Sequence, residues 1–281
     1  MDIVEKITES IKDLPTLPTI FYAISEAMNN PRSTTDDIAK IVSTDQASAF
    51  KVLKVANSPF FGFRGRIDTI PQAILHLGFN ELKNIILALS VIKFFSKSKY
   101  SEYLKPRDFW AHSIAAGICT RMLGASVKAP NLEQYFLAGI LHDIGKLLLL
   151  DLLGEQYLEV FRIIEKKNCL IKEAERASIG IDHAEAGRLL AERWKLPPVI
   201  KNTIYYHHFG LNDGKADTLT ACVHMADIAV RMFDLGNPGD HLVPQPNLKA
   251  LNTLALPADV FTDIAPALMI DFSQTISHIL D

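Results

Sequence analysis

The sequence predicts an all-α protein with an N-terminal helical subdomain packed on a C-terminal helical bundle. Nearly every apolar segment repeats at three- and four-residue spacing, as on one face of a helix, and alternating strand patterns are missing. The 281 residues suffice for one large domain or two ordinary ones. Residues 96–101 are the most polar interruption in the first half, but they are too short and too poor in glycine for a flexible linker. We therefore expect two domains, 1–105 and 106–281.

Six helices are predicted before residue 105, and most of them are bounded by proline, asparagine or glycine. Pro15 and Pro18 stop the first helix, and Pro31 follows the second. Ser33 opens the third, whose first turn carries acidic residues that suit the positive end of a helix dipole. The six predicted helices cover about 2–12 and 19–28, one opening near 33–37, one from Asp45, and about 69–77 and 80–95.

Composition narrows the class of protein. Hydrophobic residues are 48% of the chain and charged residues 22%, which is typical of a globular protein. A formal charge of -3 gives no general attraction to phosphate backbones or anionic membranes. No uncharged apolar stretch approaches the roughly 20 residues of a membrane span, and the first residues resemble an amphipathic helix rather than a signal peptide. We expect a cytoplasmic protein that binds neither nucleic acid nor membrane.

Two weaker features fit this expectation. Arg64 and Arg66 lie beside phenylalanines, and basic residues cluster at 93–107, so a surface for nucleic acid is one interpretation. Solvated charges beside loops are the simpler one. The three cysteines are far apart and show no close metal-ligand spacing, so we interpret them as small buried hydrophobes in a reducing compartment.

The most informative stretch is the apolar run at 135–150, which predicts a single helix buried over most of its circumference. His142 and Asp143 lie in its middle, followed by Gly145, which lets a backbone or ligand approach, and by the positive charge of Lys146. Burying an ionised carboxylate without a partner is costly, and imidazole and carboxylate are good ligands for divalent metals. A His-Asp pair that satisfies itself at a helix packing seam is the alternative, since short motifs are weak evidence.

Further helices decide between these alternatives, because each also brings histidine or aspartate onto its apolar face. They are predicted at about 108–123, after the cap residue Asp182, after Pro197 and Pro198, and at about 220–230. His224 lies to one side of the last helix. Helical bundles build metal sites from ligands that project inward from facing helices. One metal cluster explains all the buried polar groups together, whereas otherwise each would need its own partner. The predicted ligands are His112, His142, Asp143, His183, His207, His208 and Asp227.

These residues resemble the HD superfamily of metal-dependent phosphohydrolases, whose signature order is His, then His-Asp, then Asp. This order is matched by His112, His142-Asp143 and Asp227. The histidines inserted between them, His183, His207 and His208, and residues 141–146 (LHDIGK) resemble the dinuclear subset of the superfamily, which includes the HD-GYP cyclic di-GMP phosphodiesterases. The N-terminal half resembles the HDOD family, whose members are bacterial signalling output modules related to these hydrolases. The segments that carry this likeness are residues 14–18 (LPTLP), 55–62 (VANSPFFG) and 70–78 (IPQAILHLG).

The resemblance implies an HD-type helical bundle with a buried metal site. A first ion would bind His112, His142, Asp143 and Asp227, and a second would bind His183, His207 and His208 with Asp143 bridging. Asp108 stands where some relatives place an extra carboxylate. Asp143 and Lys146 would be the catalytic residues of an active enzyme, with Lys146 facing the phosphate. Iron or manganese suits such a mixed ligand set, and zinc stays open.

Two functions follow from the resemblance. The chain has no glycine-tyrosine-proline tripeptide after His208, the substrate loop of HD-GYP enzymes, and this favours a signal-transduction output module with a dinuclear metal site. The complete ligand set favours the alternative, a metal-dependent phosphohydrolase or phosphodiesterase acting on a nucleotide or other phosphoester. The expected partner is accordingly a signalling protein or a phosphoester ligand.

Overall fold

The computed structural model describes residues 3–63, 65–96, 103–257 and 259–280, and it confirms the all-α fold. Over these ranges it contains α-helices and one 3-10 turn but no β-strand, with a single isolated bridge between Asn212 and Lys215. Arg64 and most of the polar segment at 96–101 lie outside the described residues, so the suggested basic surface stays a prediction.

The helices follow one another in chain order with short connections. They are α1 Ile3–Asp13, α2 Thr19–Asn29, α3 Thr35–Ser43, α4 Gln46–Ala56, α5 Ile70–Leu77, α6 Phe79–Phe94, α7 Pro106–Ser126, α8 Leu132–Leu141, α9 Ile144–Leu153, α10 Glu155–Lys167, α11 Ile171–Ile179, α12 His183–Arg193, α13 Pro198–Tyr206, α14 Thr218–Met232, α15 Leu248–Leu254 and α16 Val260–Leu280.

The chain divides into two compact units. The larger unit comprises residues 1–15 and 96–265, and the smaller unit comprises 16–95 and 266–281. This grouping differs from the predicted split at both ends of the chain, because α1 packs with the larger unit and most of α16 belongs to the smaller one. Ile7 and Ile11 of α1 are buried, and α1 contacts α9 and α12. The division into domains 1–105 and 106–281 stays a prediction.

The smaller unit is built from α2 to α6 and the end of α16. The predicted start signals work as expected: Thr34 and Asp37 form a reciprocal capping box at α3, and Thr69 and Gln72 form another at α5. No single helix in the described ranges has the length and apolar composition needed to cross a bilayer. Within the same ranges, α5 and α6 taken together meet the criteria of length and composition, but they are bent by 115° relative to each other.

The larger unit centres on α7, which packs against α8 and α14. A Cβ added to Gly139 of α8 would lie 2.6 Å from the Cα of Gly117 in α7, so the two backbones touch there. This approach is available only to glycine, and it brings the start of α7 beside the end of α8. His112 and His142 therefore come from different helices to one place.

The prediction of one continuous helix over 135–150 is wrong. The helix α8 ends at Leu141 and α9 begins at Ile144, with His142 and Asp143 in a turn between them. Asp143 has φ -98° and ψ 7°, and its carbonyl accepts a 3.0 Å hydrogen bond from the backbone N–H of Lys146. Successive residues on a continuous helix point about 100° apart, and the turn removes that constraint from the two polar side chains. Similarly, His207 and His208 were expected on the helix after Pro198, but α13 ends at Tyr206 and both lie in the following turn.

Candidate metal centre

All seven sequence-predicted ligands converge within the larger unit. Six of them are at most 4% exposed, and His208 is half-buried. Among the described residues, three sets of three have their ligand atoms within 4.8 Å of one another, and one of them, His142, Asp143 and His207, joins the two sets named next. The first, here the His112 half, is His112, His142 and Asp227; the second, the His183 half, is His183, His207 and His208. Among the described residues, these groups do not include Asp108, whose backbone carbonyl accepts a hydrogen bond from Asn237.

Asp143 lies between the two halves. Its Oδ1 is 3.1 Å from Nε2 of His183 and 3.6 Å from Nε2 of His207. Its Oδ2 is 3.3 Å from Nε2 of His142 and 3.8 Å from Nε2 of His112. One carboxylate oxygen thus faces each half, which is the arrangement needed for a carboxylate to bridge two cations.

The hydrogen bonds of the histidines determine which ring nitrogen is free. Nδ1 of His142 lies 2.7 Å from the carbonyl of Gly139, and Nδ1 of His207 lies 2.7 Å from the carbonyl of Ile204. Nδ1 of His183 lies 2.6 Å from Oε2 of Glu175. Because these oxygens accept hydrogen bonds, each Nδ1 carries the proton, and a neutral ring then presents the lone pair of Nε2 to the cluster.

Several of the facing atoms have no hydrogen bond to satisfy them. Among the described residues, Nε2 of His112, His142 and His207 and Oδ1 of Asp143 lack a hydrogen-bond partner although all are buried. Nε2 of His183 and Nε2 of His208 are only 2.9 Å apart. Buried polar atoms without partners are rare in native proteins, and converging lone pairs repel one another. Divalent cations bound between these atoms would accept all of their lone pairs, so the residues fit a metal centre.

The comparison with protein families agrees with this geometry. The HDOD domain model matches residues 14–209, which is more than half of the chain. The chain belongs to the HDOD family. The matched region includes His112, His142, Asp143, His183, His207 and His208 and ends before Asp227, so the structure is what brings Asp227 to the other six.

Individual relatives extend the comparison. An HDOD domain protein of unknown function from Geobacter sulfurreducens has a TM-score of 0.82 at 23% identity, covering 98% of this chain and 97% of that one. A candidate metal-dependent phosphohydrolase from Shewanella amazonensis SB2B has a TM-score of 0.69 at 20% identity, covering 96% and 95%. These likenesses show the fold. An uncharacterized protein of Treponema pallidum (strain Nichols) is 25% identical over 239 residues, 84% of this chain and 46% of that protein. The chain thus spans about half the length of this relative.

Burial and local charge set the protonation states in this HDOD domain. Burial lowers the pKa of His112 to about 4, and it lowers the pKa of His207 and His208 well below the usual range. Burial alone would raise the pKa of Asp143, but the charges of His142 and Lys146 outweigh it and hold the pKa well below its usual range. Carboxylate and neutral imidazole are the forms that bind metal.

His142 is the exception. Burial lowers its pKa, but Asp143 and Asp227 together outweigh burial and raise the pKa to about 9. At neutral pH its ring therefore holds a second proton, on Nε2, in the metal-free protein, and a metal must displace that proton to bind.

The sequence reasoning missed four residues that hold the ligands in place. Glu175 of α11 accepts hydrogen bonds from Nδ1 and the backbone N–H of His183, and the hydroxyl of Tyr157 donates to it. The Nε–H of Arg231 donates to Asp227 at 2.9 Å, and Arg231 also binds Asp240 at 2.8 Å. Spacing offered one clue, because Arg231 follows Asp227 by one helical turn. A second clue was the position of Glu175, which lies on the same buried side of α11 as Ile171 and Ile179.

Two other residues singled out in the sequence have defined contacts. His224 is buried, its Nδ1–H donates to the carbonyl of His207, and its Nε2 accepts from the backbone N–H of Asn247, so it supports the turn from outside the cluster. Lys146 is fully buried and its Nζ lies 2.5 Å from Oδ2 of Asp143. Its predicted role toward a phosphate stays a prediction.

Proposed function

We propose that this HDOD domain is a bacterial signal-transduction output module that holds two divalent metal ions. The observation that carries the proposal is Asp143, whose two oxygens face two separate sets of histidines. One ion would bind His112, His142, Asp143 and Asp227, and the other His183, His207, His208 and Asp143. Such four-ligand sets of imidazole with carboxylate suit iron or manganese, with zinc open.

The output role is supported by burial and by the sequence after His208. Six of the seven donors are at most 4% exposed, so a bulky substrate has little direct access to them in this conformation. The segment that follows, with exposed Phe209, lacks the substrate tripeptide of HD-GYP enzymes. We therefore propose that the metal centre stabilises or switches the fold and that the domain acts by binding a signalling protein.

The second candidate, a phosphohydrolase, is favoured by the complete donor set and by Lys146. Bound divalent ions would supply Lewis acidity that polarises phosphoryl oxygens and makes water a better nucleophile at neutral pH. In this chain Asp143 would hold both ion sites in register, and Lys146 would compensate negative charge beside it. A phosphoester would then be the ligand of the centre rather than a protein.

Metal analysis followed by an activity screen separates the two candidates. Protein purified anaerobically without added metal is expected to carry divalent metal, and to turn over neither phosphomonoesters nor cyclic nucleotides. Turnover that disappears in His142→Ala would establish the hydrolase and refute the output role as the sole function. His241→Ala, which changes an exposed histidine in the same unit, is the matched control and should keep the metal.

The affinity for metal is expected to depend on pH because of His142. Its pKa is raised to about 9, so below that value one proton must leave before the ring can bind. We expect the affinity to rise about tenfold per pH unit between about pH 7 and 9 and to level off above. Calorimetric titrations across this range, in buffers of different ionisation enthalpy, measure the affinity and the protons released. An affinity independent of pH would show that no proton leaves His142 when the metal binds and would contradict this prediction.

A further inference from the structure

The surroundings of the two halves differ in charge. Resting on the proposed metal centre, we infer that the His183 half binds its ion more tightly than the His112 half, and that Glu175 is the positioning residue that makes it so. Three sets of contacts support this inference, one behind each half and one at Asp143.

Behind the His183 half lies a fixed carboxylate. Glu175 is fully buried, and its Oε2 accepts hydrogen bonds from Nδ1 of His183 at 2.6 Å and from the backbone N–H of His183 at 2.9 Å. Its Oε1 accepts from the hydroxyl of Tyr157 at 2.5 Å. Over the described ranges, these partners include no lysine or arginine that would cancel its charge. A carboxylate on the far nitrogen orients an imidazole and increases its basicity toward a metal.

Behind the His112 half lies a cation instead. Oδ1 of Asp227, which is 3.2 Å from Nε2 of His112, also accepts the hydrogen bond from Nε of Arg231. The Arg231 side chain is 4% exposed, and Asp240 and the carbonyl of Leu242 hold its other end. A metal that binds this oxygen competes for it with the Nε–H of a buried guanidinium that also pairs with Asp240.

The two carboxylate oxygens of Asp143 also differ in their contacts. Its Oδ2, on the side of His142, is paired with the ammonium of Lys146 at 2.5 Å. Its Oδ1, on the side of His183, has no hydrogen-bond partner among the described residues. Asp227 Oδ1 and Asp143 Oδ2, which face the His112 half, are therefore each paired with a buried cation, whereas Asp143 Oδ1, which faces the His183 half, has no such pair, although the charge of Lys146 also acts on His183.

Titration of metal-free protein with Mn²⁺, followed by calorimetry, tests the inference. We expect two binding steps whose affinities differ tenfold or more. His112→Ala should remove the weaker step, and His208→Ala should remove or weaken the tighter one. Glu175→Gln keeps the shape but not the charge, and it should weaken the tighter step by about 10- to 100-fold while leaving the weaker step unchanged. Glu165→Gln, at an exposed glutamate of α10, is the matched control.

The outcomes are distinguishable. Two equal steps, or loss of the tighter step in His112→Ala, would overturn this inference and leave the proposed metal centre standing. Absence of Mn²⁺ binding in the unaltered protein would overturn both. Glu175→Asp retains the charge and should recover part of the affinity lost in Glu175→Gln, which a purely structural role would not give. If circular dichroism shows that Glu175→Gln does not fold, the two histidine variants still test which half binds more tightly. The inference requires that His112→Ala loses the weaker step and that His208→Ala loses or weakens the tighter one.

Discussion

Asp143→Asn is expected to abolish binding of both metal ions in a single substitution. The carboxylate faces both sets of histidines, with Oδ1 3.1 Å from Nε2 of His183 and Oδ2 3.3 Å from Nε2 of His142. An amide is a poor ligand beside a carboxylate for these metals, and it also leaves the buried ammonium of Lys146 without its counter-charge. Metal content per chain, measured on purified protein, is the direct observable.

The same change is expected to destabilise the metal-free protein, by about 3–5 kcal/mol, because one partner of a buried ion pair is removed. The double variant Asp143→Asn with Lys146→Met removes both charges, so it should recover much of the stability but none of the metal. Asp263→Asn, at an exposed aspartate, should alter neither. Retention of a full metal complement in Asp143→Asn would refute the bridging role.

Gly145→Ala is expected to be among the most damaging single substitutions in the chain. A Cβ at this position would lie 1.9 Å from the carbonyl oxygen of His183 and 2.7 Å from the backbone nitrogen of Gly187, so α9 and α12 would have to move apart. The carbonyl belongs to a predicted ligand, and the shift would carry His183 away from Asp143. We expect a loss of at least about 3 kcal/mol in the free energy of unfolding, together with weaker metal binding.

Intrinsic helix propensity sharpens this test. Alanine is the better helix former by about 1 kcal/mol, so destabilisation at Gly145 has to come from the steric clash. Gly214→Ala is the matched control, because that glycine has φ +74° and open space around its Cβ position. It should cost only the backbone strain of about 1–2 kcal/mol. Denaturant unfolding of both variants compares them, and equal losses would argue against a close helix contact at Gly145.

The candidate ligands were predictable from the sequence because their chemistry is exceptional in their surroundings. His142 and Asp143 interrupt a long apolar run, and Asp227 follows Val223 and Ala226 on a face that is otherwise apolar. A group that is expensive to bury must have a compensating partner, whatever the fold. The seven donors could therefore be chosen from helical spacing, and the structure brings all of them together.

The supporting residues were not predictable in the same way. Glu175 lies in a helix rich in charge, where most glutamates are solvated, and only the packing of α11 against its neighbours buries it. Asp240 lies in a loop without periodicity, and its contacts with Arg231 depend on where that loop returns. Their roles come from neighbours distant in sequence, about which local spacing carries no information.

The sequence by itself determined the helical class, several helix start signals and the choice of candidate donors, because propensity, capping and the cost of burying charge act locally. The tertiary structure decided the break at His142 and Asp143, the grouping of α1 with the larger unit, and which oxygen of Asp143 faces which histidines. Those features depend on where helices touch, as at Gly145 and Gly139, and such contacts join residues whose separation along the chain does not encode their distance in space.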